Sequence, residues 1–515
     1  MRQGFLRRLA GLAGMAVVAL VTWGHVGSPD VYFESLSGPY PVRVVIRPPI
    51  VVPGQAEITV RTLSPAGSPA SQVTGIGVQP VVWNAGPEGV PPAEPARRVR
   101  GDSSLWSAQL WLMRPTSYSV RVQVKGPAGT GTVLVPVVAF ATRRLPMQRG
   151  MAVVLTVLGA FLLAGALTAI GAAVLESELP PGVEPDARRR RRARWVVAGT
   201  AVLFGLLLWG GRVWWRRVDV EFARTIYRPS AVAATVLPVA TSAGEIRELT
   251  LKVDARDRGW LPLILDHGKL MHLFLIREPG QDAFAHLHPV PQNRDETAFA
   301  ATLPPLPAGV YHLYADITHE NGFSETLTAN VNVPPLAPNA GPKAPIPTPA
   351  PLASDPDDSF RTDSGAVAGP GGTFALGDGL TLTWLGPAGS RGAGKDAGLR
   401  FAFRGADGKP APIEPYMGML SHAAVVRDDP DGGGEVFIHL HPEGTISMAA
   451  LQFFEKQQGK GGDGMAGMGS MAMSPADGIL AFPWSFPQSG RYHLWVQVKS
   501  GGRVRTGVFA VQVTS

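Results

Sequence analysis

Two near-identical strings, "FAHLHP" at residues 284–289 and "FIHLHP" at 437–442, set His286 beside His288 and His439 beside His441. Four of the eleven histidines therefore sit in two short runs, each closed by a proline. Side chains alternate between faces in an extended segment, so each histidine pair shares one face. Phe284 joins the first pair on that face, while Ala285 and Leu287 point the other way. Two neutral imidazoles at alternate positions, with a third from a neighbouring strand, can converge on one cation. Imidazole nitrogen suits copper, zinc, nickel and iron.

The surroundings of the two strings correspond as well. "MHLFLIREP" (271–279) aligns with "SHAAVVRDD" (421–429), matching His272 with His422 and Arg277 with Arg427. "AGVYHLYADI" aligns with "SGRYHLWVQV", matching His312 with His493. Between His272 and His286 lies "EPGQDA", a hairpin signal. A register centred near Gly280 would set His272 opposite His288 and bring three imidazoles together. The expectation is one metal site in each repeat: His272, His286, His288 and His312 in the first, His422, His439, His441 and His493 in the second. His267, beside Asp266, is either a fourth ligand or a group that orients a ligand. The competing structural reading has buried histidines paired with carboxylates such as Asp266 or Glu320. His319, in "ITHENGF", has no counterpart and reads as a loop residue.

Methionine tilts the choice of metal. The second repeat carries "YMGMLSH", with Met417 and Met419 where the first repeat has His267 and Lys269. An insertion, "GGDGMAGMGSMAMSPADG", adds Met465, Met468, Met471 and Met473 among Gly, Ser and Asp, which offer little to pack against. Thioethers are soft ligands that favour Cu(I), so copper is the first expectation and zinc the second. The bland reading of the insertion is a low-complexity loop. With no cysteine, disulfides, zinc–thiolate sites and thiol catalysis are excluded. No Ser-His-Asp, Cys-His or paired-carboxylate arrangement recommends catalysis, so the chain reads as a non-enzyme.

The elements that must hold these residues read as strands. With 61 Gly and 48 Pro in 515 residues, turn-rich β-structure is favoured over long helices outside membrane spans. The fold class expected is mainly β: three immunoglobulin-like β-sandwich domains on a transmembrane α-hairpin, with an N-terminal signal peptide or anchor at residues 1–26. The first sandwich is placed at 27–145 and the two His-bearing ones at 229–333 and 359–515. A Pro/Ala-rich linker at 334–358 should be extended and semi-rigid. His25 follows the first apolar run and reads as an ordinary juxtamembrane histidine.

Residues 150–175 carry no charge and are long enough to span a bilayer. Residues 195–215 form a second span with aromatic residues at its edge. Between them, 176–194 holds Arg188 to Arg192 and Arg194, a cytoplasmic topology signal. Small residues at Ala160/Ala164, Gly165/Ala169 and Ala201/Gly205 would let the spans pack together. The net charge of +7 divides unevenly: residues 1–217 hold 24 Lys+Arg against 10 Asp+Glu, and 218–515 hold 23 against 30. The acidic balance of the larger soluble part argues against a nucleic-acid partner. The lipid bilayer, met through two or three helices, and an envelope protein are the partners expected. The location expected is the bacterial inner membrane, with the sandwiches facing the periplasm or cell exterior.

At "MHLFLIR", "FAHLHP" and "YHLYADI", and again at "YMGMLSHAAVVR" and "FIHLHP", the sequence resembles YtkA-like (FixH-like) bacterial envelope domains. More loosely, it is similar to periplasmic copper-resistance β-sandwich proteins. The resemblance covers residues 240–335 and 370–515. It implies an immunoglobulin-like sandwich, a copper or heavy-metal role, and His272, His286, His288, His422, His439 and His441 as ligands. The spans and the extra N-terminal sandwich depart from a simple soluble chaperone. The function expected is copper sequestration or delivery by a membrane-anchored protein. The alternative is a structural or protein-interaction module whose histidines only pack.

Overall fold

A computed structural model describes residues 30–515 except 64–72, 87–88, 178, 181, 242–243, 256–259, 337–354, 363–366, 429–435 and 460–476. The chain divides into two compact units. One comprises Phe140–Tyr227 with Ile50–Val52 and holds two long helices; the other contains every sheet.

In the helical unit, Arg149–Glu176 and Ala187–Thr225 each contain a stretch long and apolar enough to cross a membrane. The second helix begins earlier than the sequence suggests. Asp186 caps it by accepting from Arg189 N–H at 2.7 Å, so the arginine run lies in the helix rather than in a loop. The helices touch at Gly171, where an added Cβ would lie 3.1 Å from Val197. The small residues expected at the contact lie elsewhere: Ala160, Ala164, Ala169 and Ala201 are exposed, and a Cβ on Gly165 or Gly205 would meet nothing. The proposed leader at 1–26, and His25 with it, lies outside the described residues.

The sheet unit is mainly β, with six sheets arising two at a time along the chain. Residues 31–139 form a five-stranded and a four-stranded sheet. Strand Tyr40–Arg47 shows why: its inward residues Tyr40, Val42, Val44 and Ile46 alternate with more exposed ones. The first His-bearing repeat supplies a four-stranded sheet and a five-stranded one. The latter runs Ser324–Val333, Gly309–Thr318, His272–Glu278, Phe284–Leu287 and Ser359–Arg361. The second repeat supplies another such pair, whose five-stranded sheet runs Arg391–Gly392, Arg503–Thr514, Gly490–Ser500, His422–Asp428 and Phe437–Leu440. The Ser359–Arg361 strand pairs with Phe284–His286 and so completes the first repeat, although the expected boundary gave it to the second.

The His-bearing sheets are buried on both faces. Leu273, Leu275, Ala285, Leu287 and Leu313 pack into the first repeat's own core. Their alternates Phe274, Ile276, Phe284 and Tyr314 join the core of the second repeat with Val426, Phe437 and Trp495. Phe284 stacks on Trp495 at 5.0 Å between ring centres, and Phe437 stacks on Tyr314 at 4.1 Å. Phe284 corresponds to Phe437 and Tyr314 to Trp495, so the two stacks are one contact made twice, as a pseudo-two-fold requires.

The N-terminal sheets dock on the second repeat next to its histidines. Glu34 N–H donates to Glu443 O at 2.7 Å and Thr445 N–H to Tyr32 O at 3.0 Å. Gly444 sits between these bonds at φ 136°, where a Cβ would fall 1.9 Å from Tyr32 O. Gly444→Ala should therefore open this junction and cost about 1–3 kcal/mol. Thermal unfolding would show the loss, and limited proteolysis should release the 31–139 segment's protection. An unchanged melt and digest would mean the junction does not form.

Candidate metal centre

Hairpin register brings the imidazoles of each repeat together. Leu273 pairs with Leu287, Phe274 with His286, Leu275 with Ala285 and Ile276 with Phe284, a ladder centred on residue 280. His272 and His288 meet at its end with ring centres 5.2 Å apart. The second repeat copies this: Ala423 pairs with Leu440 and Ala424 with His439, and the rings of His422 and His441 lie 5.1 Å apart.

Packing of the two sheets sets the expected ligand groups of the two repeats side by side. Their His-bearing faces meet, and seven imidazoles form a single buried cluster. His439 lies 5.3 Å from His272, 5.6 Å from His286 and 4.4 Å from His441. His267 of the first repeat lies 4.9 Å from His441 and 5.4 Å from His422, both of the second.

Hydrogen bonds assign the nitrogens of one set. His272 Nε2–H donates to the Asp266 carbonyl at 3.1 Å, so its Nδ1 carries a lone pair. Gln497 Nε2 donates to Ser359 Oγ at 2.5 Å, which turns its Oε1 to accept from His286 Nδ1–H at 2.9 Å. The His286 Nε2 lone pair then faces His272 Nδ1 at 3.3 Å. His288 Nδ1–H donates to the Asp358 carboxylate at 3.0 Å, and its Nε2 has no partner. Three lone pairs thus converge, with one ligand atom from each histidine within 4.8 Å of the others. Metal–imidazole bonds of about 2.0–2.1 Å in tetrahedral geometry place neighbouring nitrogens about 3.3–3.4 Å apart. The His272–His286 spacing has that value.

A second set, His267, His422 and His441, also offers three ligand atoms within 4.8 Å. No normal hydrogen bond reaches their six ring nitrogens, although His267 Nε2 lies 3.6 Å from the Asp266 carboxylate. Buried polar atoms left this way are costly, about 1–3 kcal/mol each. His439 Nδ1 lies 3.4 Å from Asp316 Oδ2, the cross-repeat counterpart of the His286–Gln497 contact.

Other expected ligands fall elsewhere. His312 lies beside Tyr314 at 4.6 Å and His493 beside Trp495 at 6.0 Å; neither belongs to a convergent set among the described residues. Their strands point them at the same interface, but nearer the aromatic stacks. Met417 and Met419 are buried in the turn before His422. Met465, Met468, Met471 and Met473 lie outside the described residues. His319 is a packed residue rather than a loop one, with Nδ1 2.9 Å from Leu261 O and Nε2 3.3 Å from Glu325. Most of the expected linker is outside the described residues. Its last residues, Asp355 to Asp358, form a turn against His288, with Lys269 2.5 Å from Asp355 and Lys499 3.0 Å from Asp357. Sequence reasoning passed over Asp358, Asp316, Gln497 and Tyr416. Alignment of "YADI" with "WVQV" carries a signal for two of them, since Asp316 and Gln497 occupy matching positions.

Burial holds the pKa values of His272, His286, His422 and His441 well below the ordinary histidine value, and neighbouring imidazoles reinforce it. The same causes lower His267, against the pull of Asp266. These five imidazoles are neutral at neutral pH, the protonation state a metal ligand needs.

Residues 232–335 and 375–515, the two His-bearing repeats, match a domain of unknown function, DUF8832. No curated protein matches the chain. Among solved structures, an engineered protein is 20% identical, with 19% of each chain covered and a TM-score of 0.14, so the chain spans only that fraction of it. The Escherichia coli adhesin FdeC is 11% identical, covering 93% of this chain and 100% of its own, with a TM-score of 0.16. A tetra-tandem repeat from the extending region of a large adhesion protein is 8% identical, covering 90% and 71%, with a TM-score of 0.14. Nothing about this chain rests on likenesses this weak.

Depressed histidine pKa values carry a pH dependence of definite sign. Unfolded histidines titrate near 6.5, while the folded ones take up protons only at lower pH. Their contribution to stability is intact above about pH 6.5 and is lost as pH falls through the folded values. The metal-free protein should melt at progressively lower temperature as pH drops below about 6.5. His493, lowered to about 4 by burial and then by the Arg491 charge, acts across the window between those values. His493→Leu should flatten part of that slope, and identical pH profiles would rule the assignment out.

Proposed function

We propose that this protein binds a metal ion, copper first and zinc second, at the junction between its two His-bearing repeats. The observation that carries the reading is the meeting of His272 Nδ1 and His286 Nε2 at 3.3 Å, each with its proton directed away. Lone pairs this close repel unless a cation lies between them or one ring turns its proton inward and gives up its outward hydrogen bond; a cation lets every outward bond be kept. When bound, the metal would accept these nitrogens and that of His288. Gln497, Asp358 and the Asp266 carbonyl hold each ring by its other nitrogen, as partners behind metal-bound histidines do. Asp266 is itself held, because its carboxylate accepts from Ala449 N–H at 3.1 Å at the start of helix Met448–Gln457.

In this reading the sheets form three immunoglobulin-like sandwiches, the two His-bearing ones of the YtkA-like (FixH-like) kind. The two apolar helices form a hairpin that anchors them in a bacterial inner membrane. The sandwiches face the periplasm or cell exterior, where the protein sequesters copper or delivers it to an envelope partner. The alternative, a protein-interaction module, draws on the Phe284–Trp495 and Phe437–Tyr314 stacks, which join the repeats without any metal.

Metal analysis and titration of the purified full chain test the reading. Copper or zinc should be taken up, and His286→Ala with His288→Ala should abolish uptake at that site. Gln497→Leu and Asp358→Asn should each weaken affinity by about 10–100-fold. No uptake by the wild type would leave the interaction module. For the topology, reporters fused after Arg194 and at Ser230 should lie on opposite membrane faces; equal exposure would reject the hairpin.

A further inference from the structure

The turns preceding the first histidine of each repeat share an unusual backbone. His267 and Gly268 have φ of 53° and 81°, and Met417 and Gly418 have 51° and 78°. Paired bonds close each turn, between Asp266 and Lys269 at 2.8 and 2.9 Å and between Tyr416 and Met419 at 2.8 and 3.1 Å. A positive φ is uncommon for any residue but glycine, yet both repeats keep a side chain there. His267 uses its position to reach across, with its ring beside His422 and His441 of the other repeat.

Cross-repeat contacts obey a single exchange. His286 meets Gln497, and His439 meets Asp316. Phe284 stacks on Trp495, and Phe437 on Tyr314. The same exchange carries His267 onto Met417, and His422 and His441 onto His272 and His288.

We infer that the cluster holds two metal ions in unlike sites, each completed by the turn residue of the opposite repeat: His267 joins His422 and His441, and the Met417 thioether joins His272, His286 and His288. This rests on the metal reading above and extends it to number and selectivity. The first site offers nitrogen only and accepts Cu(II) or Zn(II). The second adds a soft sulfur donor and selects Cu(I). His288, Asp355 and Asp358 form a third group of metal-ligand spacing, but Lys269 holds Asp355 and the His288 Nδ1–H is given to Asp358, so no ion is counted there.

X-ray absorption and metal titration of the full chain in detergent provide the test, with Cu(I) under anaerobic reduction and Cu(II) separately. The wild type should take two ions, with a sulfur scatterer around Cu(I). Met417→Leu, which conserves volume and should fold, should remove that sulfur, keep the nitrogen shell and weaken Cu(I) at least about tenfold. Cu(II) uptake at the other site should not change. Met417→His should replace sulfur by nitrogen, and His267→Met should add sulfur to the first site. One ion per chain, or a sulfur signal unchanged in Met417→Leu, would overturn the inference while leaving metal binding in place. No uptake at all would remove both.

Discussion

Two nitrogen lone pairs facing each other in a dry interface constrain much of what surrounds them. His272 and His286 are fully enclosed, and each gives its ring proton to a partner on the far side. In a low-dielectric interior such an arrangement repels unless something positive lies between. The flanking groups are all committed to keeping the protons outward. Gln497 is turned by Ser359, Asp358 is held within its own turn, and Asp266 is anchored on a helix terminus. Those groups come from segments far apart in the chain, so the site demands that the two repeats dock in one way.

In the proposed reading, docking and ligation are two views of one equilibrium. The same sheet face carries the aromatic stacks and the imidazoles, so an ion held by both repeats adds its binding free energy to their association. Without an ion, the stacks hold the repeats together against a set of unsatisfied nitrogens. The N-terminal sheets add a further restraint. They bond to residues 443–445, immediately after His441, and Gly444 permits that approach because it has no Cβ.

Much of this was legible in the sequence. Period-two alternation placed His286 and His288 on one face with Phe284, and the turn between the strands pointed to a register centred on residue 280, which the ladder has. The correspondence of His272, His286 and His288 with His422, His439 and His441 follows from string matching and persists in space. Two long helices cover the apolar runs at 150–175 and 195–215, the second reaching back into the arginine run before it. Other features were not legible. A strand of three residues after a long Pro/Ala-rich stretch, Ser359–Arg361, has too little pattern to reveal which sheet it completes. His312 and His493 matched each other as well as the true cluster members did, but their positions two steps further along the strand put them beside aromatic rings.

By itself the sequence determined the strands, the facing of their side chains and the doubling of the histidine pattern, because these depend on local geometry and short turns. Whether the two histidine sets stand apart or side by side depends on which faces meet, and no local rule contains that. Only the tertiary structure decided it: the second faces of the His-bearing sheets are apolar and aromatic enough to be buried against each other, so the imidazoles of both repeats were brought into a single enclosure. Asp316, Gln497 and Asp358 acquired their roles in the same step, since each acts on a histidine that lies distant from it along the chain.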